Sequence, residues 1–305
     1  MTDLVSQAAA ADFAARAVCP ARELGAYEAL WARRGASFKS LARRFRAQPD
    51  ALPSELIGRA AAQACGRAAL ERLRAAGSGD FGLSVHGMGE YPRRLRDAAH
   101  PVEVLYFRGN WDLVSSRCVA VVGTRFPSER GLQRAEEMAR GLVQAGFTVV
   151  AGLARGIDTA AHRAAMAAGG RTIAVLGTPL DECYPPENCA LQGCIAAEHL
   201  LVSQVPILGY AGRSAAETRG FFAERNATVA ALCEAAIIVE AGDRSGTLIL
   251  ARHALEQGRT LFILDDCCRN SALTWAGKFL ELGAIRVRGF EDVRARLESV
   301  ETDRD

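Results

Sequence analysis

From Cys118 onward the chain alternates short, nearly continuous apolar runs with longer segments in which apolar side chains return every three or four positions. The runs are CVAVVG, FTVVAG, RTIAVLG, LLVSQV, AAIIVEAG and TLFIL. They are short and bounded by glycine or charge, and most are rich in β-branched residues, the pattern of strands buried on both faces. Between the first two runs, Leu132, Ala135, Met138, Leu142 and Val143 fall at helical spacing behind Ser128 and Glu129, a helix-start pair. Strand, helix and strand repeated in this way predict an α/β fold, a doubly wound, mostly parallel Rossmann-like sheet. Upstream, residues 1–80 are rich in Ala, Arg and Leu with breaks at Gly35, Pro49, Pro53 and Gly77 to Gly79, and read as a small helical N-terminal domain. Residues 81–116 read as a connecting extended segment, 117–290 as the Rossmann-like domain and 291–305 as a short C-terminal tail.

In such a sheet, ligands bind outside the carboxyl ends of the strands. The loops that follow three of the runs share a composition: Gly123, Thr124, Arg125 and Ser128 after the first; Gly152, Arg155, Gly156 and Asp158 after the second; and Gly242, Arg244, Ser245, Gly246 and Thr247 after Glu240 at the end of the fifth. Glycines let backbone approach an anion, helix N-termini aim free N–H groups at it, and arginine forks grip phosphate. The expectation is a phosphate-binding rim built from several loops. Taken singly, each loop also fits a tight turn with solvated arginines, and convergence on one edge is what favours a ligand. Neither GxGxxG with its downstream acid nor GxxxxGK[ST] is present, which argues against NAD-type dinucleotides and P-loop NTP hydrolysis. No cofactor is expected.

With 305 residues, 50% hydrophobic and 24% charged, the chain is long enough for two domains and too apolar to be wholly disordered. The formal net charge is only +2, so any site for a polyanion must be local. Lys39 and Lys278 are the only lysines, so nearly all the positive charge is arginine and arginine abundance by itself says little about phosphate. No run approaches the roughly 20 apolar residues of a membrane span. Asp3 and Asp12 precede any basic residue, so no signal peptide and a cytoplasmic location are expected. The nine cysteines contain no CxxC pair and are expected to be reduced and mostly buried. Cys183, Cys189 and Cys194 with His199 are the alternative, a metal site, at spacings unlike those of zinc modules.

Six segments, YPRRLRD, VAVVGTR, AGLARGIDTAAH, GRTIAVLGTPLDECYP, FFAERNATVAAL and VEAGDRSGTLILARHALEQGR, follow one another over residues 81–287. Together they resemble the DprA/Smf family of bacterial DNA-processing proteins, whose Rossmann-like domain is related to the LOG-type nucleotide phosphoribohydrolases. The resemblance implies a homodimeric, non-enzymatic protein that binds and protects incoming single-stranded DNA in natural transformation and helps load the RecA recombinase on it. Carried over by motif, Arg125, Gly152, Gly156, Arg225, Asn226, Ser245, Gly246 and Thr247 line the DNA pocket. A single-strand pocket also needs aromatic faces for unpaired bases. Phe126, Phe221 and Phe222 are candidates, with ordinary core packing as the competing reading. His162, four residues beyond Asp158, is expected to be a structural partner of that carboxylate.

The chain departs from the family pattern at three places. Ala227 replaces the second arginine of an RNR motif, Asp265 and Asp266 stand where Pro-Gly is usual and put negative charge near the proposed anion site, and Leu273, Thr274 and Trp275 replace a Thr-Asn pair. Two further readings stay open. A LOG-like hydrolase of nucleoside monophosphates needs paired acids, whereas Thr247 is followed by Leu248, Ile249 and Leu250 with no acid before Glu256. A diverged nucleotide sensor would suit the aspartate pair.

Overall fold

The computed structural model describes residues 18–88 and 91–302, so expectations for residues 1–17 lie outside the described residues. The described residues open with helices α1 (Pro20–Trp31), α2 (Phe38–Arg46) and α3 (Arg59–Ala75). Their order follows local chemistry. Pro20 starts α1, where its missing N–H costs nothing, and the Ser37 hydroxyl caps α2 by accepting from Ser40 N at 3.2 Å. Strands β1 (Gly82–Val85) and β2 (Val104–Gly109) come next, so the segment expected to connect two domains contributes strands of its own.

The expected alternation then appears as β3 (Cys118–Val122), α4 (Glu129–Gln144), β4 (Thr148–Ala151), α5 (Ile157–Ala167), β5 (Thr172–Leu176), α6 (Cys189–Glu198) and β6 (Leu200–Ser203). It continues through α7 (Ile207–Tyr210), α8 (Ala215–Leu232), β7 (Ala235–Ile238), α9 (Thr247–Glu256) and β8 (Thr260–Leu264). The chain closes with α10 (Asp265–Arg269), α11 (Trp275–Glu281), β9 (Ile285–Val287) and α12 (Phe290–Thr302). All nine strands form one sheet in the order β1-β2-β6-β5-β4-β3-β7-β8-β9. From β6 to β9 every pairing is parallel, and β2 joins β6 and β1 joins β2 antiparallel.

Both faces of the sheet are covered, which is why the strands read as continuous apolar runs. Along β3, Val119 and Val121 point into a core shared with Met138 and Leu142 of α4, Ala161 of α5 and Val293 and Leu297 of α12. Ala120 and Val122 point the other way, into a core shared with Val229 of α8 and Leu250 of α9. Residues 291–302, within the segment read as a tail, thus belong to a helix with a buried face. The N-terminal helices dock on the second core: Trp31 and Phe38 meet Phe221 of α8 at ring-centroid distances of 5.8 and 5.6 Å.

The cysteines differ from expectation. Cys183 and Cys189 form a disulfide, and Cys19 and Cys194 are exposed while only Cys118, Cys233 and Cys267 are buried among the free thiols. The reading of reduced, mostly buried thiols fails because the loop between β5 and α6 folds back to set the two Cα atoms 5.5 Å apart, a proximity that spacing alone does not reveal. Among the described residues no three His, Cys, Asp or Glu side chains gather as a metal site requires, and no helix is long and apolar enough to cross a membrane.

Candidate nucleic-acid interface

Chain order reverses at β3. Strands β4, β5 and β6 step away on one side while β7, β8 and β9 lie on the other. The loops leaving β3 and β7 therefore diverge and open a crevice at the carboxyl ends, the place where open α/β sheets bind ligands. A cleft of about 900 Å³ lies there, with Gly123 to Phe126, Gly152, Ala154, Arg225, Asn226, Gly242 and Arg244 to Thr247 on its walls. Most of the residues expected from sequence are brought together at this one edge.

The loops are tied to one another by backbone carbonyls. Thr124 N donates to Glu240 O at 2.7 Å and Ile157 N to Thr124 O at 3.2 Å. Thr247 Oγ1 donates to Gly123 O at 3.0 Å, and Asn226 Nδ2 to Gly246 O at 3.1 Å. Gly156 has φ of +79° where the β4–α5 loop crosses beneath Thr124, a conformation L side chains rarely adopt. A Cβ at Gly152 would collide with the Arg225 guanidinium. Leu153, between them, is the one non-glycine residue with positive φ among those described, at 59°. Strain of that kind persists where the surroundings hold it, and Leu153 is fully buried.

Arg225 does not behave as an open phosphate fork. It is 6% exposed, and its Nη1 donates to Val175 O at 2.9 Å and to Gly152 O. Asp158, buried beside it, accepts from Gly152 N at 3.0 Å and Ala154 N at 3.4 Å. Burial pushes the Asp158 carboxyl up from its ordinary range and the nearby Arg225 pulls it back. Burial likewise lowers Arg225, against the pull of Asp158. Together they stitch the ends of β4 and β5 to α8.

The free cations are elsewhere. Arg125, Arg219 and Arg244 line the cleft, all are exposed, and none has a carboxylate partner among the described residues. Arg219 was not singled out from sequence, because nothing in its motif separates it from the many other arginines. Arg155 stands at the rim and is already paired with Glu187 at 2.6 Å. Ser128 is not a phosphate ligand here. Its hydroxyl donates to Glu240 Oε2 at 2.7 Å and accepts from Gly131 N at 3.0 Å, so the start of α4 is occupied by a carboxylate. The start of α9, at Ser245 to Thr247, faces the cleft instead.

The aromatic expectations separate. Phe126 is 77% exposed at the mouth, and Phe222 lines the cleft. Phe221 is 4% exposed and packs on Trp31, Phe38 and Tyr210, so core packing wins there and it offers no face to a base. It sits next to Phe222 on a helix, about 100° around the axis, so only one of them can face the cleft. Tyr184 and Tyr210 also line the cleft and were not anticipated.

His162 bonds Thr172 Oγ1 through Nδ1 at 2.7 Å, so its structural partner is this threonine rather than the expected Asp158. The departures from the family pattern also find places. Ala227 is buried and its carbonyl accepts from Gln257 Nε2 at 3.2 Å, so an arginine there would point into the core and add no cation to the cleft. Asp265 pairs with Arg269 at 2.5 Å and with Arg286, and Asp266 with Arg130 at 2.8 Å. Neither aspartate lines the cleft, and each is neutralised where it stands. Thr274 N and Trp275 N donate to Asp243 Oδ1 at 2.9 and 3.1 Å, bracing the loop before α9.

Residues 83–298 match the sequence profile of the family described as DNA recombination-mediator protein A. Among curated relatives, the DNA processing protein DprA of Streptococcus pneumoniae is 38% identical over 208 residues, 68% of this chain and 71% of that one. Protein Smf of Synechocystis is 42% identical over 181 residues, 58% of this chain and 44% of that protein, so the chain spans less than half of that relative's length. Among solved structures, DprA from Streptococcus pneumoniae superposes with a TM-score of 0.71 at 29% identity, over 91% of this chain and 98% of that one. A structure describing the single-stranded DNA binding mode of DNA processing protein A from Helicobacter pylori gives 0.62 at 27% identity, over 72% and 96%. With the profile spanning most of the chain and the motif loops converging on one cleft, the chain belongs to the DNA recombination-mediator protein A family, the DprA/Smf proteins.

Proposed function

We propose that this protein binds single-stranded DNA in the cleft between the β3 and β7 loops and acts in DNA processing. The carrying observation is the pairing of three exposed arginines, Arg125, Arg219 and Arg244, free of carboxylates among the described residues, with open aromatic rings at Phe126 and Phe222. Cationic forks take the backbone and rings take unpaired bases, so recognition is indifferent to sequence and excludes paired bases. The Helicobacter pylori relative, whose structure describes single-strand binding, supports the reading. Within it, the protein is a cytoplasmic homodimer that shields incoming strands in natural transformation and helps load RecA.

The same cleft is proposed to turn over neither nucleoside monophosphates nor NTPs. Asp158, the acid on its wall, is buried and turned onto Gly152 N and Ala154 N, Glu240 spends its carboxylate on Ser128 N and Oγ, and among the described residues lining the cleft no pair of acids stands free as glycosidic chemistry needs.

Fluorescence anisotropy with one labelled oligonucleotide, single-stranded or annealed as a blunt duplex, tests the binding claim. Single strands are expected to bind at least tenfold tighter, with affinity falling steeply with salt. Equal affinity for the duplex would sink the proposal. RecA filament formation on strands precoated with a single-strand-binding protein, with and without this protein, tests the loading step.

A further inference from the structure

The loop between β5 and α6 contributes Tyr184 to the lining of the cleft, and it is closed on itself. Cys183 and Cys189 are bridged at a Cα separation of 5.5 Å. Between them lies Tyr184, 46% exposed, which reaches the cleft and meets Phe222 edge-on at 5.4 Å between centroids. Glu187, in the same span, pairs with Arg155, and Arg155 lies over the exposed Phe126 ring at 5.9 Å. The bridge thus brackets both side chains by which this loop addresses the open aromatic faces.

The loop is also held independently of the bridge. Arg72 of α3 pairs with Asp181 and, at 2.9 Å, with Glu182. Gln192 Nε2 donates to Glu182 O at 3.2 Å. Next to the second cysteine, Asn188 Nδ2 donates to Leu153 O at 2.9 Å and Thr159 Oγ1 at 2.8 Å. These bonds do not depend on sulfur, so opening the bridge frees residues 184–187 without releasing the loop's two anchors. Cys189 is exposed and Cys183 half-buried, within reach of small thiols.

We propose that Tyr184 is a base-stacking residue of the cleft and that the Cys183–Cys189 bridge is a reversible switch setting its position, the bridged form binding single-stranded DNA more tightly than the dithiol form. The inference rests on the DNA reading of the cleft. A ring already held against Phe222 loses less freedom when a base stacks on it than one on a loosened loop. The chemistry is thiol–disulfide exchange. To open, a thiolate of a small dithiol attacks one sulfur, forming a mixed disulfide and expelling the other protein sulfur as a thiolate; its second thiolate then displaces the attacked protein sulfur, and the reagent leaves as a cyclic disulfide while both cysteines end as thiols. To close, the two thiols exchange in turn with a low-molecular-weight disulfide of the glutathione class, which leaves as two thiols.

The test measures affinity for a labelled single strand with the bridged protein, the same protein reduced by dithiothreitol, Cys183→Ser/Cys189→Ser, Tyr184→Ala and Arg125→Ala. Reduction and the double serine variant are expected to weaken binding about threefold to tenfold, and dithiothreitol should not affect the serine variant further. Tyr184→Ala should weaken binding about tenfold, as for loss of one stacked base, and reduction should then add nothing. Melting curves of each form separate loss of binding from loss of fold. Equal affinity of the bridged and reduced forms, with Arg125→Ala still weakening binding, overturns the switch and leaves the cleft standing. If Arg125→Ala and Tyr184→Ala both bind like the parent, the DNA reading of the cleft itself fails. Alkylation and mass measurement of the air-oxidised protein should find Cys183 and Cys189 protected, and free labelling of both would overturn the bridge.

Discussion

Arg125 stands exposed at the mouth of the cleft, whereas Arg225 is buried with its fork on Val175 O and Gly152 O. The same residue type therefore meets opposite balances of forces. An exposed arginine adds charge at little cost to the fold, and its removal is expected to change stability by no more than about 0.5 kcal/mol. Truncating Arg225 instead strands two carbonyls and the buried Asp158, and losses of about 3 kcal/mol are usual when one partner of a buried charged pair is removed. In urea denaturation, Arg225→Ala should be the destabilised variant and Arg125→Ala close to the parent. In DNA titrations at several salt concentrations, Arg125→Ala should lower affinity for every sequence and flatten the log–log slope by about 0.7, the value for one phosphate on a single strand. If the stability loss instead falls on Arg125→Ala, the assignment of the two roles is wrong. Both arginines stand out in the motifs; their burial does not, because it depends on Val175 and Gly152, dozens of positions away in the chain.

At the scale of the element, α4, α5 and α9 begin at the carboxyl ends of β3, β4 and β7, around the cleft, and they differ in what meets their N-termini. Glu240 fills the start of α4 through Ser128, Asp158 turns back from the start of α5 onto Gly152 and Ala154, and α9 starts with Thr247 N on the neutral Ser245 hydroxyl rather than on a carboxylate. Within α5, His162 is fully buried between helix and sheet, and burial pushes its imidazole down to about 3. A histidine ordinarily titrates near 6.5, so below that pH the unfolded chain takes up a proton that the folded chain refuses until about pH 3. Stability from this group is complete above pH 6.5 and is lost as pH falls from there towards 3, by an amount on the order of a few kcal/mol. Denaturation midpoints measured between pH 7.5 and 4 should show this slope, and His162→Gln should flatten it; an unchanged slope in the variant would place the acid sensitivity elsewhere. The strand runs are evident in the sequence because both faces of each strand are buried, whereas β9, three residues long at the sheet edge, carries no comparable signal.

For the whole molecule, the question is whether the N-terminal helices and the sheet form one cooperative body. Glu28 of α1 is fully buried and receives Tyr106 Oη of β2 at 2.6 Å, Ile207 N at 2.8 Å and Leu208 N at 2.9 Å. Burial pushes its carboxyl up, and the Tyr106 and backbone donors hold it down. One side chain thus caps α7, anchors the second strand and carries the helical region onto the wall that holds Tyr210. Glu28→Ala leaves those donors unmet in the interior and is expected to cost about 3 kcal/mol. Trp31 in the helical region and Trp275 beside the cleft loop should follow one shared transition, shifted together in the variant. Separate transitions for single-tryptophan forms carrying one or the other would show two independent units.

The parallel sheet, its strand runs and the loops that form the cleft could be read along the chain, because periodicity, β-branching and Gly–Arg turns are local properties written residue by residue. Phe126 and Phe222 were candidates only alongside Phe221, and nothing local in the sequence separated the two that reach the cleft from the one that packs in the core. Burial at Arg225, Phe221 and Ala227, the ion pairs that neutralise Asp265 and Asp266, the capping of α4 by Glu240 and the Cys183–Cys189 bridge all depend on partners distant in sequence or on a turn that spacing does not disclose. Which arginines stay free for a phosphate is settled by those long-range partners, since a guanidinium binds whatever anion or carbonyl the fold brings to it first.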